Sequence, residues 1–253
     1  MKKKIGVVLS GGGVRGLAHV GFLKALNEFG IKPDYVSGCS SGALVGALYA
    51  AGCTTEEMLD YFSANANIFS LRKVSTKRTG MFNSEKYIST LDSIIQNDSF
   101  DALQCKLIVN ATDILKGKLV YFSTGDVKRK VIASATIPGI FTPIEIDGSI
   151  FVDGGAMDNF PVKPLLNKNL TIFGSFVSMF KDVTLEEMSN PIKLVNRAGK
   201  LMISSKAVDQ FDLCDHILAP KELSNYSLFD TKSMNKIYEI GYQETCDYLL
   251  KMG

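Results

Sequence analysis

Gly38-Cys39-Ser40-Ser41-Gly42 sets one serine between two glycines. That spacing suits a nucleophile on a sharp strand-to-helix turn, where a Cβ at Gly38 or Gly42 would crowd the bend. Ser40 would then stand at a helix N-terminus, where free N–H groups and the helix dipole favour developing negative charge. Upstream, Gly11-Gly12-Gly13-Val14-Arg15-Gly16 offers a run of backbone N–H groups with little side chain in the way. Such a run is an anion cradle, able to hold the oxyanion of an acyl-transfer intermediate. The oxyanion hole is assigned to Gly11, Gly12, Gly13, Arg15 and Gly16. Gly12 and Gly13 are the expected donors, with Arg15 bracing the loop or adding positive potential.

A serine hydroxyl is a poor nucleophile until a base takes its proton. The chain has two histidines. His19 lies one turn past the glycine loop, and His216 sits in a late, strand-like apolar stretch. His216 fits the chain order serine, acid, histidine, so a serine–histidine–acid triad is one reading. Asp153-Gly154-Gly155 offers another base. An aspartate titrates at about 3.9 in water and is a weak base there. It works when desolvated beside the hydroxyl, with the oxyanion hole lowering most of the barrier. By itself the tripeptide is also an ordinary turn after a strand. The residues alone leave both bases open.

The glycine loop also satisfies G-x-G-x-x-G, the signature of a dinucleotide site. That site needs an acidic residue at the end of the second strand, where Ser37-Gly38-Cys39-Ser40 stands instead. No Gly-Lys-Ser/Thr follows, so a P-loop fails too. A nucleotide- or anion-binding regulatory module stays as the alternative from another class.

The elements that must hold these residues alternate between strand and helix. Residues 5–9 read as a buried strand, and residues 17–29 carry apolar positions at helical spacing, ended by Gly30. Residues 34–37 form a short strand before the serine turn, and residues 43–51 a small, apolar, buried helix. Thr54 or Thr55 caps a helix with Glu56 and Glu57 in its first turn. Residues 65–82 read as a loop and residues 84–95 as a helix. Strands are expected at 106–113 and 118–123, joined at Lys116-Gly117, and a helix at 126–134, broken at Ile137-Pro138-Gly139. Short strands follow at 150–152, before Asp153, and at 170–177. The rest is mostly helical from residue 190, with a strand at 216–218. Such alternation gives an α/β fold, layered around a largely parallel sheet.

The 253 residues, 46% apolar and 21% charged, support a sizeable core in one domain. A net charge of +2 is too small to imply nucleic-acid binding. Five cysteines (Cys39, Cys53, Cys105, Cys214 and Cys246) lack metal-site spacing and suit a reducing compartment. Residues 43–53, the longest apolar run, fall short of the roughly 20 a span needs, and residues 5–9 are too short for a signal core. The expectation is a cytoplasmic protein able to touch a membrane surface peripherally. Two basic clusters bear on such contact, Arg72, Lys73, Lys77 and Arg78 in a loop, and Lys128-Arg129-Lys130. A solvated surface is the plainer reading of both, and anionic headgroups the functional one.

Taken in order, these segments resemble the patatin-like phospholipase family. Gly11-Gly12-Gly13-Val14-Arg15-Gly16, continued by Ala18-His19-Val20-Gly21, matches its G-G-G-x-R-G loop. Gly38-Cys39-Ser40-Ser41-Gly42 matches its G-x-S-x-G elbow, with Cys39 at a position that varies. Ser134-Ala135-Thr136-Ile137-Pro138 through Phe141-Thr142-Pro143 resembles the stretch before its acidic motif, and Asp153-Gly154-Gly155 matches that motif. The match covers about residues 5–180, leaving the helical residues 181–253 unassigned within a single domain of residues 1–253. The size is that of compact bacterial single-domain members. The resemblance implies a three-layer α/β sandwich and a Ser40–Asp153 dyad in place of a triad. His19 becomes a helix or loop brace, and His216 a core or surface residue. It further implies hydrolysis of lipid acyl esters through an acyl-enzyme on Ser40, with no metal or cofactor. Helical residues near 55–100 would supply a lid or acyl tunnel.

Overall fold

The computed structural model describes residues 3–66 and 80–252. In chain order the elements are β1 (Lys4–Leu9), α1 (Leu17–Glu28), β2 (Tyr35–Gly38), α2 (Ser41–Ala50), α3 (Thr55–Ala64), β3 (Gly80–Phe82) and α4 (Glu85–Ile88). Next come β4 (Lys106–Asp113), β5 (Lys118–Phe122), α5 (Val127–Ser134), β6 (Gly139–Phe141), β7 (Ile144–Ile146) and β8 (Ser149–Asp153). The chain ends with β9 (Leu170–Ser175), α6 (Pro191–Val208), β10 (His216–Leu218) and α7 (Met234–Leu250).

An eight-stranded sheet runs β10-β9-β1-β2-β4-β8-β7, with β5 also paired to β4. β10, β9, β1, β2 and β4 are parallel, while β5, β8 and β7 join antiparallel. Parallel strands are buried on both faces, which explains the continuous apolar run of β1. Its alternate side chains feed two cores. Val7 and Leu9 enter the larger, with α1, α2, α5 and α7, while Val8 enters a smaller one with Phe160, Leu165 and Phe176. α2 is apolar on nearly every side, as a helix buried against a sheet must be. α3 begins on a capping box: Glu57 N donates to Thr54 Oγ1, and Thr54 N to Glu57 Oε2. The C-terminal helix α7 packs on α1 with Gly21 and Gly241 at the contact.

β4 decides where the site lies. Val109 pairs with Gly38 of β2 on one flank and with Phe122 of β5 on the other. Ala111 pairs with Val120 of β5 and with Asp153 of β8. Since β5 occupies one flank throughout, β2 and β8 share the other. They run toward each other, and their C-terminal ends arrive on either side of Asn110.

Three differences from the sequence reading have local causes. The helix expected over 84–95 ends at Ile88 and passes into a 3-10 turn, Ser89–Leu91. Thr90 Oγ1 donates to the Tyr87 carbonyl and Ser89 Oγ to the Lys86 carbonyl, in competition with the helical ladder. The strand expected to reach Val177 stops at Ser175, because Phe176 N donates to Leu218 O and Val177 N to Ser10 Oγ. β3, β6 and β7 escaped the sequence reading; β7 and β8 form a hairpin around Asp147-Gly148, both with positive φ.

Candidate active site

Ser40 follows β2 and precedes α2, with φ 53° and ψ −121°, a conformation few non-glycine residues adopt. The turn closes because its neighbours lack side chains. A Cβ on Gly38 would run into the Gly42 carbonyl, and one on Gly42 into the carbonyls of Leu9 and Ser10. Ser40 N donates to Ser134 Oγ at the end of α5, at 3.0 Å.

Asp153 arrives at the end of β8. Its N donates to the Thr136 carbonyl (2.8 Å), and its carbonyl accepts from Thr112 Oγ1 (3.1 Å). Its carboxylate has two fixed ends. Oδ1 accepts from Gly155 N at 2.7 Å, and Oδ2 accepts from Ser40 Oγ at 2.6 Å. Cys39 Sγ lies 3.7 Å from Oδ1 as a weak donor. Burial raises the Asp153 pKa from 3.8 to about 6, against the opposing pull of the hydrogen bonds from Ser40, Gly155 and Cys39. Ser40 and Asp153, the two residues expected to do the chemistry, are thus in direct contact.

The glycine loop passes beside them. Gly11 N donates to the Asn159 carbonyl (3.1 Å), and Val14 N to the Leu228 carbonyl (2.9 Å). Between these two, the N–H groups of Gly12 and Gly13 have no acceptor among the described residues. Gly13 has φ +59°, and a Cβ there would meet the Leu228 carbonyl. Gly16 lies where a Cβ would press on Ser41. Of the loop residues expected to form an oxyanion hole, Gly12 and Gly13 present free donors, while Gly11 and Gly16 are close-approach positions. Arg15 points away from a donor role. Its Nε donates to the Tyr226 carbonyl (2.8 Å), and Nη1 to those of Met179 (3.3 Å) and Val177 (3.5 Å). It braces the loop, and burial lowers its pKa.

His19 braces the same loop from below. The Ser10 carbonyl can only accept, so Nε2 carries the proton and donates to it at 2.8 Å, leaving Nδ1 to accept from Ser175 Oγ at 2.8 Å. Burial lowers the His19 pKa to about 4, so the ring is neutral at neutral pH. His216 lies on β10, three strands from β2, roughly 14 Å at ordinary strand spacing. Its Nδ1 contacts Tyr248 Oη at 3.1 Å, and its ring packs on Phe173. The structure does not bring His216 to Ser40, and the triad alternative loses its base. Sequence reasoning missed Ser134 and Asn159, which hold the elbow and the loop through contacts spanning more than ninety residues.

Two spaces meet at Ser40. A narrow apolar slot of about 40 Å³ is lined by Leu44, Tyr61, Tyr87, Ile132, Phe141 and Phe229, with Ser40 and Ser41. Tyr61 on α3 and Tyr87 on α4 bring the stretch near residues 55–100 onto the wall of this slot. Ser41 Oγ is buried there without a hydrogen-bond partner among the described residues. A wider groove of about 610 Å³ is bordered by the glycine loop, Ser40 and Asp153, and by Lys181, Lys193, Arg197 and Lys200.

Residues 7–166 match the family model described as patatin-like phospholipase. The chain belongs to the patatin-like phospholipase family. An uncharacterized NTE family protein of Mycobacterium tuberculosis is 34% identical over 177 residues, covering 67% of this chain and 48% of that protein. The chain thus spans about half the length of such mycobacterial relatives. A lysophospholipase nte1 of Aspergillus fumigatus is 36% identical over 290 residues, covering 99% of this chain and 18% of the relative. The patatin-like fold is shared with VipD from Legionella pneumophila, at TM-score 0.63 and 14% identity over 99% of this chain and 67% of that one. It is shared also with human GIVD cytosolic phospholipase A2, at TM-score 0.51 and 12% identity over 98% and 58%. Membership assigns this patatin-like chain to a family of lipid hydrolases.

No described helix is long and apolar enough to cross a membrane. The basic clusters part company here. Each member of Lys128-Arg129-Lys130 has a carboxylate partner: Asp92 at 2.6 Å, Glu85 at 2.8 Å and Asp126 at 2.9 Å respectively. That cluster is neutralised, and Lys128 and Lys130 are buried, so it is neither the solvated surface of the plainer reading nor a free cationic patch. Arg72, Lys73, Lys77 and Arg78 lie outside the described residues.

Proposed function

We propose that the chain hydrolyses carboxylic esters of lipid acyl chains through an acyl-enzyme on Ser40, with Asp153 as base. The observation that carries this is the 2.6 Å contact from Ser40 Oγ to Asp153 Oδ2, beside two unpaired loop N–H groups. Asp153 takes the hydroxyl proton as Oγ attacks the ester carbonyl. The carbonyl oxygen becomes an oxyanion and accepts from Gly12 and Gly13 N–H, in a low-dielectric site where each donor is strongest. The tetrahedral intermediate collapses, the alcohol leaves with the proton from Asp153, and the acyl group stays on Ser40. Water then gives a proton to Asp153 as its oxygen attacks the acyl carbonyl; the bond to Ser40 Oγ breaks, Oγ takes that proton back from Asp153, and the fatty acid leaves.

The slot and the groove support a reading of the two ends of the substrate. The apolar slot, at about 40 Å³, takes the carbonyl end of one acyl chain, and the groove with its lysines and arginines suits a polar, phosphate-bearing alcohol. The small size of the slot at Ser40 favours a one-chain substrate such as a lysophospholipid. The naming of fungal relatives as lysophospholipases agrees with this.

The test is a fluorophosphonate probe with a lysophospholipid hydrolysis assay. Wild type should be labelled and active. Ser40→Ala should lose labelling and about three or more orders of magnitude in turnover. Full labelling of Ser40→Ala would remove Ser40 as the nucleophile.

A further inference from the structure

Helix α6, Pro191–Val208, is turned the wrong way round for a surface helix. Such a helix ordinarily buries its apolar stripe and gives its charges to water. In α6, Lys193, Arg197, Lys200 and Ser204 follow at four, three and four residues and line the groove beside Ser40. That spacing sets them on one face, toward the protein. Leu194, Val195, Ala198 and Met202 fall on the opposite face, with Ile192 at its margin, and all are exposed. Ile192 is 71% exposed, Val195 70% and Met202 72%, and Leu185, in the turn before the helix, is 90% exposed. Single exposed apolar residues are ordinary, but a contiguous row of them marks an interaction surface.

The charge of the helix says what kind of surface it meets. α6 carries Lys193, Arg197, Lys200 and Lys206 and no acidic residue. Among the described residues none of these four is ion-paired. Glu187, which borders the groove, accepts from the N–H of Thr184 at 2.9 Å and feels Lys181 and Lys193 without forming an ion pair to either. The helix is anchored from its inner side: Ser204 Oγ donates to the Ser178 carbonyl (3.2 Å), Arg197 donates to the Lys181 carbonyl (2.8 Å), and Ala207 enters the smaller core. At 1.5 Å per residue its 18 residues extend about 27 Å. An apolar face backed by unpaired lysines and arginines is the pattern of a helix lying in a lipid–water interface. Lys206 is exposed and falls beside Val195 and Met202 on the outward face, where its stem stays with the acyl boundary while its ammonium reaches phosphates; Lys193, Arg197 and Lys200 add positive charge behind that face.

We propose that the outward face of α6 docks the protein on an anionic lipid surface, which sets the mouth of the Ser40 groove against the headgroups. The docking is a binding event, independent of turnover, so it is measured on the Ser40→Ala protein; failure of the hydrolase reading leaves the measurement intact. The full chain is sedimented with phosphatidylcholine vesicles, with and without phosphatidylglycerol. Binding should require phosphatidylglycerol. Val195→Glu with Met202→Glu should lower partitioning about tenfold or more at an unchanged melting temperature, since both side chains already face water. Leu185→Glu, outside the helix, should act in the same direction. Three results would overturn the proposal: no binding of the parent protein to anionic vesicles, equal binding by the double variant, or a dimer that the double variant converts to monomer. The last would show a second copy of the chain covering this face.

Discussion

Replacing Asp153 with asparagine should stabilise the protein at neutral pH while abolishing its chemistry. In the fold, the Asp153 carboxyl titrates at about 6 instead of 3.8 because burial disfavours its charge. A folded-state pKa raised above the unfolded value contributes stability that is complete below about 3.8 and is lost as pH rises through about 6. The shift is about two units, so above pH 7 or so the ionised carboxylate costs about 3 kcal/mol of folding stability. Asparagine keeps almost the same shape, accepts from Gly155 N and carries no charge. Asp153→Asn should therefore match wild type near pH 4, show about half of the gain near pH 5, and reach ~3 kcal/mol near pH 8. For a chain of this length that gain corresponds to roughly 6 °C in melting temperature. Urea unfolding at a series of pH values, read by far-ultraviolet circular dichroism, gives the difference directly. A gain that is flat with pH, or a variant less stable than wild type at pH 8, would refute the claim that burial of the charge outweighs its hydrogen bonds.

The same titration predicts the pH profile. With Asp153 as base, kcat/KM on a soluble ester should fall about tenfold per unit below an apparent pKa of about 6, and should be level above it. A profile level down to pH 4 or so would remove Asp153 as the base. The histidines should divide by position. His216→Ala should leave turnover within about twofold of wild type, because its partners are Tyr248 and Phe173. His19→Ala should lower stability by about 2–3 kcal/mol, since it orphans the buried Ser10 carbonyl and opens a cavity under the glycine loop. Thermal unfolding and ester hydrolysis of the two variants, run together, check both statements.

The parts legible in the sequence were those that depend on local chain geometry. Gly38 and Gly42 around Ser40 announced a tight turn, and both glycines prove to be positions where a Cβ meets a carbonyl. The run from Gly11 to Gly16 announced an anion cradle, although its spacing did not say which N–H groups remain unpaired. That depends on Asn159 and Leu228, whose carbonyls engage Gly11 and Val14 from distant parts of the chain. The choice between Asp153 and His216 was unreadable from order alone, because both lie after Ser40. Sheet order separates them, and it is set by pairings that no local pattern encodes. One local signal went unused. Asp147-Gly148 between Ile144-Glu145-Ile146 and Ser149-Ile150-Phe151 is a two-residue hairpin signature, and it is this hairpin that delivers Asp153. Helix α6 was invisible as a surface element because its apolar spacing resembles that of a core helix, with only the direction reversed.

The head-to-head arrival of β2 and β8 along one flank of β4 makes Asn110 a ruler for the chemistry. Gly38 is pinned opposite Val109 and Asp153 opposite Ala111, so Ser40, two residues past Gly38, and Asp153 are both measured from positions two residues apart on one strand of the ladder. Their separation is insulated from motion in the slot, the groove or α6, none of which contributes to that ladder. It is correspondingly intolerant of any change in rung count. One residue inserted between Val109 and Ala111 would displace the base by about 3.4 Å and turn its side chain to the opposite face of the sheet. Insertions at the Lys116-Gly117 turn, on the far flank, would leave the ladder unchanged. Length variation among related chains should therefore concentrate on the β4–β5 turn and avoid the two residues on either side of Asn110.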